Sequence, residues 1–475
     1  MMKLNFSTLL FFLIPQIILF SFPYVTGDLG FWTALGRDMI DHGRIITHDQ
    51  YSVLETYPMV YPSWGISILY GLLDKIGGLE LIFVFHRSVF LTFQYLIYKK
   101  IKPSDLDDKF FLSFILLVMV GAGIYCDRPA MIPMIYLVFS HSLLTSLKEN
   151  TNLMKSACLL AVVILWANTH GSVFFNYILL FFLVVEDIAF GKKINPKPII
   201  ITLLIIFIAT LINPFGFDIY PYAIETAKVS KFRHISEWNS PTLLTKDVFM
   251  EVSLFYCLGF LVLYKGVHKY GIKFFLSSSA LVFIFGITTY RNIIWFFWII
   301  LLNLKMLHKP SQDNQTTIGL IFPEKVATVV MLVVIFILFP PLDRYFYDFT
   351  RNNNLITIEK YHESTPFYAV EEIVKSKNTG PVFNEFEFGG YLIYRLAHRN
   401  KIHMDGRNII YKQDDFDMYL KALRGEEGYA DLLNHYQFQF VLIKKRSFGL
   451  SQILRLDKSW RISYEDHRDI LFERI

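Results

Sequence analysis

The chain has 475 residues; 53% are hydrophobic, 17% aromatic and only 18% charged, and the mean hydropathy is +0.39. These values exclude a disordered chain, a disulfide scaffold and an ordinary soluble enzyme of this length. A single water-facing core stops growing beyond roughly 250–300 residues, so the remaining apolar sequence needs lipid as its solvent.

In chain order, apolar runs long enough to cross about 30 Å of hydrocarbon are predicted at 6–25, 80–98, 110–125, 130–147, 156–167 and 173–189. Five more follow at 199–212, 249–267, 273–289, 293–307 and 326–341. The first run begins after Lys3 and is read as a retained span, because no small-x-small cleavage site precedes Gly27. The shorter stretch 64–76 carries Asp74 and Lys75 and is read as a helix at the membrane interface or a re-entrant hairpin. Cys126, Cys158 and Cys257 all sit in apolar stretches without metal-ligand spacing.

Eleven crossings put the two ends of the chain on opposite sides. Lysines cluster in alternate loops (Lys99 to Lys109, Lys148 and Lys155, Lys192 to Lys197, Lys265 to Lys273, Lys305 to Lys325), together with Lys3. Basic loops stay in the cytoplasm. The expected location is therefore the cytoplasmic (inner) membrane, with the N-terminus inside and the C-terminal region outside. The net charge of +5 then reflects insertion, and no nucleic-acid partner is expected.

From about residue 343 the composition becomes polar. Strand-type runs at 381–384, 401–404 and 438–443 alternate with helical patterns at 368–377, 415–424 and 429–436, which predicts a small α/β domain. The expected domains are thus 1–342, a multi-span membrane part with a first outer loop at 26–79, and 343–475, an extracytoplasmic α/β domain. No glycine-rich phosphate loop marks a nucleotide site.

The unusual polar residues fall on the outer face of this topology. Asp28 and Asp49 lie in the first outer loop, Asp127 and Arg128 between the third and fourth spans, and Asn168 and His170 between the fifth and sixth. Asn213 and Glu237 flank the loop after the seventh, and Arg291 and Asn292 follow Tyr290. Each has a plain structural reading: Asp28 as a helix cap, the arginines reaching toward phospholipid, His170 bonding a turn, Trp32, Trp64 and Trp238 as interfacial residues. Their co-location predicts one polar cavity at the outer face. Such a set suits displacement at a lipid-linked phosphate, with a carboxylate, Asp28 or Asp49, taking the proton of an attacking hydroxyl and Arg128, Arg291 and His170 holding the departing phosphate. Alternatively, the two aspartates of the first loop hold a divalent cation, Mg or Mn, that binds the phosphate.

The string Asp28-Leu29, Gly36-Arg37, Ile40, Gly43-Arg44-Ile45, Asp49, Tyr51-Ser52 and Trp64 resembles the first outer loop of a group of bacterial multi-span proteins. These are similar to the GT-C superfamily of polyprenyl-phosphate-sugar-dependent glycosyltransferases. Arg128-Pro129, Trp166-Ala167-Asn168 with His170-Gly171, Asn213-Pro214, Glu237-Trp238 and Arg291-Asn292 continue the series. Asn384, Gly389-Gly390-Tyr391 and Asp405-Gly406-Arg407 extend it into the outer domain.

The resemblance implies a GT-C-like membrane enzyme in which Asp28 matches the acidic position that acts as base or metal-site residue. The implied donor is a polyprenyl-phosphate-linked sugar, and the acceptor an extracytoplasmic lipid, glycan or protein. The chain departs from the pattern at Leu29, where a second acid is common, and at Trp32, Pro62 and Ser63, where related sequences carry histidine and His-Glu. Ile46 stands where proline is common. These departures weaken the metal-ligand set. Gly389-Gly390 and Asp405-Gly406-Arg407 are read as turn and packing elements, with acceptor binding by Arg407 as the alternative. Two other functions fit the composition, a transporter or flippase for a lipid-linked glycan and a non-catalytic envelope assembly protein. A transporter would carry its ionisable groups near mid-membrane in repeated, broken helices, and no internal repeat is present.

Overall fold

A computed structural model describes residues 11–13, 15–16, 27–101, 129–233, 235–242, 249–303 and 365–475. The described chain is mostly helical. Its helices are α1 (Gly27–His42), α2 (Trp64–Ile101), α3 (Pro133–Leu147), α4 (Leu153–Ala167), α5 (Phe175–Ala189), α6 (Pro196–Leu211), α7 (Ile219–Phe232), α8 (Phe249–Tyr270), α9 (Ser278–Thr288) and α10 (Ile293–Asn303). The later part holds α11 (Phe367–Lys375), β1 (Val382–Asn384), α12 (Gly389–Leu396), α13 (Gln413–Arg424), α14 (Tyr429–His435) and β2 (Phe440–Lys444). It ends with α15 (Phe448–Leu456), β3 (Trp460–Glu465) and β4 (Asp469–Arg474).

The chain divides into two compact units. One comprises Met1–Phe22, Val84–Gly216 and Arg233–Ile356; the other comprises Pro23–Phe83, Phe217–Phe232 and Thr357–Ile475. The first outer loop of the sequence reading thus belongs to the same unit as the C-terminal α/β region.

In the first unit the apolar runs predicted at 80–98, 130–147, 156–167, 173–189, 199–212 and 249–267 are helical. The run at 273–289 is a 3-10 turn followed by α9, and 293–307 is helical as far as it is described. The runs at 110–125 and 326–341, most of 6–25, the boundary at 343 and Cys126 lie outside the described residues. By length and hydropathy, Pro129–Leu147 and Gly171–Ala189 qualify as membrane spans among the described residues. A third qualifies if Pro196–Leu211 and Gly216–Phe232 form one broken span. Asn152 and Asn195 cap α4 and α6 through their side-chain oxygens, and Pro196 opens α6, where its missing N–H costs nothing. The interior is aromatic: Phe175 stacks on Trp295 at 4.0 Å, and Phe255, Phe283 and Phe296 meet edge-on or tilted at about 5 Å.

In the second unit a four-stranded sheet runs in the order β1-β2-β4-β3. β1 lies parallel to β2, with Val382 opposite Phe440, and the β3–β4 hairpin adds antiparallel pairs. Helices α12, α13 and α14 form the crossover that a parallel pair requires. The predicted strand at 401–404 is a single-residue bridge. Ile402 pairs with Val382 on one side and with Ser52 of the first loop on the other. Every residue of β2 is buried, and Phe440 to Ile443 read as a continuous apolar run before Lys444.

Helix α1 is clamped between α12 and the start of α2 by glycines. A Cβ on Gly30 would lie 2.6 Å from the Gly390 carbonyl oxygen, and one on Gly36 would lie 1.7 Å from that of Ser67. The stretch 64–76 is helical, as one of its two readings has it, and forms the first part of α2, which breaks at Gly77 and Gly78, the latter with φ +69°. Arg37 pairs with Asp74, which also accepts from Tyr394 Oη at 3.0 Å, joining α1, α2 and α12.

Candidate functional site

The second unit builds a polar cluster from the first loop and the turn after Ile402. Asp49 folds its loop locally, accepting from the backbone N–H of Ser52 at 2.9 Å and of Tyr51 at 3.3 Å. Ser52 Oγ then donates to the His403 carbonyl at 2.6 Å, and Val53 N–H to the Ile402 carbonyl at 2.9 Å. This register brings Asp49 to Arg407, whose Nη1 donates to Asp49 Oδ1 at 2.6 Å. Arg407 Nε donates to both oxygens of Asp405 at 2.8 and 2.9 Å, and Nη2 also binds Asp405. The guanidinium lies 4.4 Å from the Phe31 ring centre and 5.6 Å from that of Tyr51. Tyr411 Oη donates to Asp405 at 3.0 Å.

The side chains of Asp49 and Asp405 are each 1% exposed and that of Arg407 is 8% exposed. Burial works against the Arg407 charge, but Asp405, Tyr411 and Asp49 raise its pKa well above the ordinary arginine range. Burial, and next the Asp405 charge, pushes the Tyr411 hydroxyl up. Arg407 is therefore a permanent internal cation.

Asp28 stands in the first turn of α1, where its charge complements the helix dipole, and is half-buried. It is an acid of the first turn rather than the residue that precedes the helix. Its Oδ1 lies 2.8 Å from the point a Cβ on Gly406 would occupy. Asp28, Asp49, Asp405 and Arg407 are thus gathered around one turn. Trp64 opens α2 in the same unit.

In the first unit, Arg291 Nη1 is 3.8 Å from Glu237 Oε2, and its guanidinium lies 5.3 Å from the Trp238 ring centre. Two neighbouring bonds bring these loops together, Tyr290 N–H to the Asn239 carbonyl at 2.8 Å and Ser240 Oγ to the Thr288 carbonyl at 3.3 Å. His170 accepts from Ser172 N–H through Nδ1 at 3.1 Å, the turn bond expected of it. Burial and then the Arg291 charge hold its imidazole pKa well below the ordinary range. Asn168 donates to the carbonyls of Ile164 and Ile212, tying the end of α4 to the end of α6. Arg128 and Asp127 lie outside the described residues.

Asp49 does not fit a cation site, because Arg407 and two backbone N–H groups occupy its oxygens. Among the described residues no three His, Cys, Asp or Glu side chains converge as a metal would need.

The sequence reading missed several groups. Tyr411 gave no signal. His403 is fully buried with no hydrogen-bond partner on either ring nitrogen, stacked on Phe383 at 5.0 Å and enclosed by Tyr419 and Phe438. Lys148, counted among the orienting lysines, is buried and paired with Asp187, which also binds Lys192 at 3.0 Å. An acid inside the apolar run 173–189 was the signal for that pair.

No family model matches this chain, and no curated protein matches it. Among solved structures it is similar to the oligosaccharyltransferase of Archaeoglobus fulgidus, determined in complex with Zn and sulfate. The TM-score is 0.49 at 10% identity, over 91% of this chain and 68% of that one.

Proposed function

We propose that the protein is a membrane glycosyltransferase of the GT-C type. It moves a sugar from a polyprenyl-phosphate donor to a lipid, glycan or protein acceptor outside the cytoplasmic membrane, with inversion at the anomeric carbon. The observation that carries this reading is the gathering of the motif residues Asp28, Asp49, Asp405 and Arg407 around one turn, with Asp28 half-buried against Gly406 and Arg407 bonded to Asp49 and Asp405. The ordered motif series from Asp28 to Arg407 supports it.

On this reading the acceptor hydroxyl oxygen bonds to the anomeric carbon as the carbon–oxygen bond to phosphate breaks. The hydroxyl proton passes to Asp28, and the bonding pair leaves on the phosphate oxygen. Charge grows on that phosphate, where the planar fork of an arginine offers paired N–H donors. Asp49 is a structural member of the cluster. Eleven crossings, a cytoplasmic N-terminus and an outer C-terminal domain complete the proposal.

Asp28→Asn should abolish transfer while leaving membrane insertion unchanged; full activity in that variant contradicts the assignment of the base. The internal pairing of Asp405 and Arg407 favours one second reading, a non-catalytic envelope assembly protein, for which Asp28→Asn would leave surface-glycan assembly intact.

A further inference from the structure

We propose that the Asp405–Arg407–Asp49 clasp is a positioning device that seats the Asp28 carboxylate against the Gly406 peptide. The proposal rests on the reading of Asp28 as the base.

Gly406 is the middle residue of a turn closed on itself. Arg407 N–H donates to Asp405 Oδ1 at 2.9 Å, the Arg407 side chain grips the same carboxylate, and Asn408 N–H donates to the Gly406 carbonyl at 2.9 Å. Nη1 of Arg407 then ties this turn to Asp49, in the loop that follows the helix bearing Asp28. Held in this way, residue 406 presents only a Cα to the carboxylate. A Cβ there would meet Asp28 Oδ1 at 2.8 Å and Cγ at 4.0 Å, with nothing else closer.

Arg407 itself is not shaped to take a substrate. Its donors are committed to two carboxylates, its faces are covered by Phe31 and Tyr51, and its side chain is 8% exposed. The clasp therefore acts through Gly406 on Asp28. A misplacement of about 1 Å at a reacting group can lower a rate roughly a hundredfold.

The test uses Gly406→Ala and Arg407→Lys in the full-length protein reconstituted in vesicles. Because the added methyl meets only the end of a side chain, Gly406→Ala should displace the carboxylate and leave the thermal midpoint unchanged. The expected result is a loss of kcat of about a hundredfold with little change in donor KM. Arg407→Lys, which keeps the charge but not the fork, should lose less. Carbodiimide labelling of Asp28, followed by mass spectrometry across pH, reads the same carboxylate without turnover. Its pH midpoint should shift in both variants.

Wild-type transfer and a wild-type labelling profile in Gly406→Ala would overturn the clasp. Retention of transfer in Asp28→Asn would instead remove the base assignment, and the labelling profile would then decide the clasp alone.

Discussion

Replacing Arg407 by methionine removes the one cation that bonds to both Asp49 and Asp405, and leaves two carboxylates that are each 1% exposed. Breaking a buried pair by removing one partner costs about 3–5 kcal/mol, because the other charge stays behind without compensation. The surviving bonds, Ser52 and Tyr51 N–H on Asp49 and Tyr411 Oη on Asp405, place the cost near the lower end, about 3 kcal/mol. For a cooperative unit of this size, 1 kcal/mol moves Tm by about 2–4 °C, so Arg407→Met should lower it by about 10 °C. The assay is a thermal scan of the full chain in detergent, with hydrogen exchange read over 49–59 and 402–411, where protection should fall first. The double variant Asp49→Asn/Arg407→Met, which removes one stranded charge, should recover part of the loss. An unchanged midpoint in Arg407→Met, with unchanged exchange over both segments, would refute the view that the clasp holds the first loop to the C-terminal region.

Burial holds His403 neutral, with its pKa lowered from 6.5 to about 3. The unfolded chain binds a proton there that the folded unit cannot. Stability is therefore full above pH 6.5 and falls as pH drops from 6.5 toward 3, by about 1.4 kcal/mol per unit. His403→Phe should flatten that slope in a denaturant midpoint measured against pH; identical slopes would contradict it. Gly36→Ala drives a Cβ into the Ser67 carbonyl and should cost at least about 1–3 kcal/mol, seen as lost folded yield. Gly43→Ala, at φ +62° with open space around it, should cost only about 1 kcal/mol. Arg291→Gln should weaken donor use, read as a raised KM for the polyprenyl-phosphate sugar with Tm unchanged.

The apolar helices and the start of the sheet were legible because their signals are local. Helices α11, α13 and α14 and strands β1 and β2 fall within a few residues of their predicted places. The β3–β4 hairpin was not read. Its outer strand alternates weakly, with Trp460 buried and Arg461, Ser463 and Glu465 largely charged or polar, so little separates it from a polar tail. Lys401–Met404 has strand composition, yet Ile402 alone makes the bridges. For the site, Asp28, Asp49, Asp405 and Arg407 were singled out by residue type and motif order. Their division of labour was not. The bond between Asp49 and Arg407 joins residues 358 apart, and nothing in one sequence marks such a pair. The burial that turns Asp49 from a candidate base into a structural acceptor is likewise a property of the folded loop.

The most direct measurement supplies the purified, reconstituted protein with polyprenyl-phosphate sugars and a membrane extract as acceptor, and follows polyprenyl phosphate by mass spectrometry. The glycosyltransferase reading predicts release of polyprenyl phosphate in step with a new glycoside of inverted anomeric configuration, both lost in Asp28→Asn. Movement of the intact donor across the bilayer, or no release with any donor while surface glycans still depend on the protein, would contradict it.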